Sequence, residues 1–224
     1  MIEFFAAIAV FLAAHVVPAA TGLRAWLIRR LGRRAYVAGY SLVSLAAIAW
    51  VIAAALRAPY IALWEASRAT ALVPLIAMLP ASVLVAGAAF EPNPLSVTFR
   101  SGLPDPRKSG LATLLRHPLL WAFFLWSASH LIANGDLVGF ILFGSLAAFS
   151  LAGMRRLEHR ARERLSEADY AAALALTSGG LGERLRRVAS LQSLVDVFVG
   201  LVLYAALLYL HGPVIGVEPL AWFA

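Results

Sequence analysis

Long apolar runs broken by short polar stretches dominate this chain. Six of them match or nearly match the roughly 20 apolar residues that cross a bilayer as a helix: Phe4–Leu23, Tyr36–Leu56, Ala69–Phe90, Pro118–Asn134, Leu137–Met154 and Val188–Leu210. The runs are continuous and do not alternate, so they predict helices rather than a β-barrel. The fourth and fifth are short and meet at Asn134-Gly135-Asp136, a turn sequence that predicts a helical hairpin. The polar stretch 155–187 predicts two further helices. One extends the fifth span, and the other starts at Ser166 with Asp169 three residues on and stops at Gly179-Gly180. Glu91 to Gly110, rich in Pro, Gly and Ser, predicts an ordered or semi-ordered loop. The expected fold class is therefore all-α, a polytopic helical membrane bundle in one domain spanning residues 1–224.

Composition strengthens this picture. Of 224 residues, 62% are hydrophobic and 14% charged, against roughly 25% charged in ordinary soluble domains. Mean hydropathy is +0.81. There is no cysteine, which excludes disulfides, thiolate metal sites and a cysteine nucleophile. The first run lacks a basic leader and is long enough to span, so it is expected to be a retained helix, with a cleaved signal peptide as the alternative.

The net charge of +7 suggests nucleic acid until the basic residues are located. All but Arg57 and Arg68 of the 19 lie in three connections: after the first span, between the third and fourth, and between the fifth and sixth. Six spans put all three on one side. Positive residues mark the cytoplasmic side, so both termini are expected outside. No nucleic-acid partner is needed; the lipid bilayer is the partner.

Polar groups inside the spans are costly and are candidates for function. They are His15, His130, Gln192 and Asp196, with His117 capping the fourth span and His159 and His211 at loop or membrane-edge positions. Thirteen residues separate His117 from His130, which turns them about 140° and about 20 Å apart along one helix. They cannot easily share a site. Ser127, His130 and Asn134 form one polar stripe, which faces either neighbouring helices, as hydrogen-bonding glue, or a cavity. A neutral imidazole there suits haem iron, copper or zinc. His15, just before Pro18 and among small alanines, is the natural second ligand. One His per span without a Glu-x-x-His spacing favours haem over zinc or di-iron. At the other end, Arg116-His117-Pro118 is a helix start that is also suited to an anion. Asp196 is expected to pair with Arg116 or His117, or to relay protons. No nucleotide-binding or hydrolase motif is present.

Three features carry a resemblance: AAHVVPAATGLRAWLIRRLGRRAYVAGYSLVSLAAIAW (Ala13–Trp50), RHPLLWAFFLWSASHLIANGDL (Arg116–Leu137) and their spacing. Over nearly its whole length the chain resembles the NnrU family of bacterial membrane proteins, associated with denitrification and nitric oxide metabolism. That family is similar to the 15-cis-zeta-carotene isomerase, a membrane enzyme with histidine-held haem b. The resemblance implies haem b on His15 and His130, and Ser127 and Asn134 of the polar stripe would then stand beside it. Arg-His-Pro, Glu158 and Tyr170 also look like the isoprenylcysteine carboxyl methyltransferases, which hold S-adenosylmethionine at the cytoplasmic face. Leu120 and His159 depart from that pattern. This alternative would place chemistry at Arg116, His117 and Glu158, with Asp196 nearby. A non-catalytic helper of a membrane reductase remains a further alternative, as does a small apolar substrate, and whether the chain is an enzyme is left open.

Overall fold

The computed structural model describes residues 1–97, 110–111 and 114–223. The basic residues Arg100, Arg107 and Lys108, and most of the expected 91–110 loop, lie outside the described residues. Nine α-helices follow in order among the described residues: α1 (Ile2–Ala20), α2 (Leu23–Leu31), α3 (Arg33–Arg57), α4 (Arg68–Phe90), α5 (Pro118–Asn134), α6 (Leu137–Arg164), α7 (Glu167–Thr177), α8 (Leu181–Arg187) and α9 (Leu191–Ile215). Five of them (α1, α3, α4, α6 and α9) are long and apolar enough to cross a membrane. α5, the expected fourth span, has 17 residues and sits at the short limit of such helices. The protein is an all-helical membrane protein. Two short helices, α2 and α8, occupy stretches that pattern alone assigns to basic connections, and α9 begins three residues after the expected Val188.

The chain divides into two compact units. The first comprises Met1–Ala62 with Asp136–Val138. Here α1 and α3 lie antiparallel. Glu3 pairs with Arg57 at 2.5 Å, while His15, three turns further along α1, meets Tyr40 on α3 at 5.7 Å between ring centres. Phe4, Ala7, Val51 and Ala54 are buried between them. The Ile61 carbonyl accepts from the Leu137 N–H at 2.9 Å, beside an antiparallel bridge of Ala62 and Asp136.

The second unit comprises Leu63–Gly135 and Gly139–Ala224. α4 packs on α5 through Ala81, Leu84 and Ala122, with Trp121 and Leu125 around them. α4 also packs antiparallel on α9, where the Tyr204 hydroxyl donates to the Leu75 carbonyl at 3.2 Å. α5 and α6 form the hairpin that the Asn-Gly-Asp turn predicts. Gly135 takes the left-handed conformation, φ 67°, that ends α5. Its carbonyl accepts from the N–H groups of Leu63 and Trp64, and the Trp64 indole donates to the Ile132 carbonyl at 3.0 Å. Beyond the apolar part, α6 continues as a polar helix. There Ala161 packs with Ala173 of α7 and with Leu95, which forms a small satellite core. Ser166 caps α7 by accepting from the Asp169 N–H, as the sequence predicts.

Candidate functional site

The polar residues of the second unit gather at opposite ends of the α5–α6 hairpin. At the turn end stands His130. Its Nδ1 is 2.8 Å from the Trp126 carbonyl. A carbonyl only accepts, so the proton sits on Nδ1 and Nε2 keeps its lone pair. The Trp126 ring, 5.8 Å away, and the Phe143 ring of α6, 5.3 Å away, surround the imidazole. His211 of α9 stands opposite, its ring centre 6.4 Å from that of His130 with the planes 25° apart. Its Nδ1 donates to the Val217 carbonyl at 2.7 Å. This pairing was not legible in the sequence, where His211 reads as a membrane-edge residue. Only the fold brings the two together.

The other members of the polar stripe turn inward on their own helix. The Ser127 hydroxyl donates to the Phe123 carbonyl at 2.6 Å, and the Asn134 amide donates to the His130 carbonyl at 2.7 Å. His15 lies in the first unit, with Nδ1 2.8 Å from the Phe11 carbonyl and the Phe11 ring 4.4 Å away.

The helix-start end of the hairpin is the second site. His117 ends the preceding loop with φ −132° and ψ 64°, and Pro118 opens α5 without a side-chain cap. Arg116 pairs with Glu158 of α6 at 2.7 Å, and the Tyr170 hydroxyl of α7 donates to the same carboxylate at 3.5 Å. His117 is only 4% exposed. Its Nε2 lies 3.7 Å from the other oxygen of Glu158, too far for a hydrogen bond. Burial holds the imidazole below its usual pKa against the opposing pull of Glu158, which keeps it neutral near pH 7. The cavity beside these groups has a volume of about 580 Å³, within the range of small-molecule sites, and Trp121, Arg155 and Arg184 also line it.

Asp196 corrects an expectation. It is fully buried, but its carboxylate accepts from Gln192 at 2.9 Å and from the Leu111 N–H at 3.1 Å, not from Arg116 or His117. Arg116 is committed to Glu158 instead. Nearby, Glu91 accepts from the Gly110 N–H at 2.6 Å, and the Asn93 amide donates to the Arg116 carbonyl at 3.3 Å. These two residues position the start of α5. In the sequence they are lost between the prolines of EPNPLS, where Asn and Glu read as loop polarity.

No group of three or more metal-ligating side chains occurs among the described residues. The arrangement therefore offers paired imidazoles at one end and a basic cleft with a neutral histidine at the other. Neither a curated protein nor a solved structure matches the chain. The family model for NnrU protein matches residues 3–219, and the chain belongs to the NnrU family.

Proposed function

We propose that this protein binds haem b, with His130 supplying an axial imidazole, and that it serves nitrogen-oxide metabolism in a bacterial inner membrane. The observation that carries the reading is the tautomer of His130. The Trp126 carbonyl orients the ring and leaves Nε2 as the ligating atom, the arrangement in which ligating histidines are held. Trp126 and Phe143 give the imidazole apolar aromatic neighbours of the kind that suit a macrocycle. His15, the partner that the family resemblance implies, is fixed in the same tautomer by the Phe11 carbonyl.

His211 is the second imidazole that the second unit itself offers. The ring centres of His130 and His211 lie 6.4 Å apart, and both Nδ1 atoms are spent on carbonyls, which leaves the two Nε2 atoms as the nitrogens that would hold an iron. Bound there, the haem would supply a redox-active iron whose behaviour its axial ligands tune. The link to nitrogen oxides rests on the family alone, because fold and ligation also suit an isomerase.

The test is an absorption spectrum of protein purified in mild detergent after expression with ample haem, repeated for His15→Ala, His130→Ala and His211→Ala. A Soret band that disappears in His130→Ala supports the reading. Whichever of the other two variants shifts or abolishes the band identifies the second ligand. A folded protein without a Soret band sinks it.

A further inference from the structure

The cleft at the start of α5 holds polar groups that the protein leaves unsatisfied. Both ring nitrogens of His117 are buried without a hydrogen-bond partner, and so is Nε of Arg184. Buried polar atoms are nearly always paired, so each such exception calls for an explanation. Here they line one cavity, with Arg116 and Arg155 beside them. Glu158 is the single carboxylate among the lining residues and is already paired with Arg116. The N-terminus of α5, with no side-chain cap, adds the positive end of a 17-residue helix. Trp121 and Leu115 give the same cavity an apolar wall.

We propose that this cleft binds a phosphate-bearing amphiphile, its anionic head on His117, Arg184 and the start of α5, its apolar part along Trp121 and Leu115. The guanidinium of Arg184 meets phosphate oxygens with charge-assisted bonds. His117, neutral and bonded to nothing, has one donor and one acceptor for a phosphate oxygen and a hydroxyl. A cavity of about 580 Å³ is larger than a phosphate needs, and the surplus lies beside the apolar wall. Three arginines against one carboxylate suit an anion and are poorly matched to the cationic sulfonium of a methyl donor. The phosphate could belong to a lipid headgroup or to a soluble phosphorylated compound, and the experiment separates these sources.

The full chain in an uncharged detergent is titrated with dihexanoyl phosphatidic acid, glycerol 3-phosphate, dihexanoylglycerol and S-adenosylmethionine, with tryptophan fluorescence as the readout and Trp121→Phe as the control for the reporter. Saturable binding of the phosphatidic acid alone, weakened roughly tenfold or more by Arg184→Gln through loss of a charge-assisted contact, bears the proposal out. The milder Arg155→Gln, at an exposed position, reports the same trend if Arg184→Gln does not fold. Glycerol 3-phosphate binding as tightly as the phosphatidic acid overturns the amphiphile and assigns a soluble phosphate compound. Binding of dihexanoylglycerol or S-adenosylmethionine instead, or binding indifferent to both arginine variants, overturns the proposal.

Discussion

Gly200 of α9 lies against the backbone of Val83 on α4. A Cβ at position 200 would fall 2.5 Å from the Val83 Cα and 2.8 Å from its N. Without water to drive helices together, close backbone approach is a main source of association between apolar helices. Gly200→Ala forces the two helices apart. It is expected to destabilise the second unit by about 1–3 kcal/mol, the usual range for overpacking. The check is a lowered thermal midpoint in detergent, and an unchanged midpoint would mean that the crossing is looser than described.

Asp196 is buried at the start of α9 and accepts from Gln192 and Leu111. Asp196→Ala leaves two donors stranded and should cost about 1–3 kcal/mol, the penalty for unpaired buried groups. Asp196→Asn keeps an oxygen for the Leu111 N–H and should cost clearly less. If instead Asn and Ala are equally damaging, the charge of Asp196 matters in itself, and a proton-relay role returns to consideration. Urea or thermal unfolding of the two variants side by side makes the comparison.

The depressed pKa of His117 has a definite pH signature. Unfolding returns the imidazole to an ordinary pKa of about 6.5, so below that value the unfolded chain binds the proton more readily than the folded one. The stability contributed by the neutral buried ring is fully present above about pH 6.5 and is lost as pH falls toward the lower folded value. Thermal midpoints measured from pH 8 down to 5 should therefore fall, and less steeply in His117→Gln. Equal slopes would show that other groups, with Glu158 the first to consider, govern the acid response.

Ser127 is the residue for which a cavity role and a structural role make different forecasts. Its hydroxyl donates to the Phe123 carbonyl within its own helix. Ser127→Ala leaves that carbonyl in the helical ladder, so the cost should stay under about 1 kcal/mol. Any Soret band should keep its position. A displaced band would show that the hydroxyl reaches the haem environment after all.

Local features were the most legible. The turn at Gly135, the Pro118 helix start and the Ser166 cap all obey rules that act within a few residues, and the structure has each of them where pattern places it. α2 and α8 were missed because nine and seven residues rich in arginine carry little apolar signal, and their charge reads as an orientation marker. The partners of Asp196 and the meeting of His130 with His211 were beyond reach for a different reason. The latter pair lies 81 positions apart in the sequence, and helix periodicity gives the direction of a side chain without naming the neighbour it will meet.

α6 deserves a mechanical reading. One unbroken helix of 28 residues carries both Phe143, packed on His130, and Glu158, paired with Arg116. The fifteen-residue step from one to the other spans about 22 Å of continuous helix. α6 is thus a tie-rod between the imidazole pair and the basic cleft. A ligand that displaced the rod at one end would be felt at the other, and by linkage the influence would be returned with equal strength. A haem spectrum that responds to an anion, and anion affinity that responds to haem, would be two readings of the same rod.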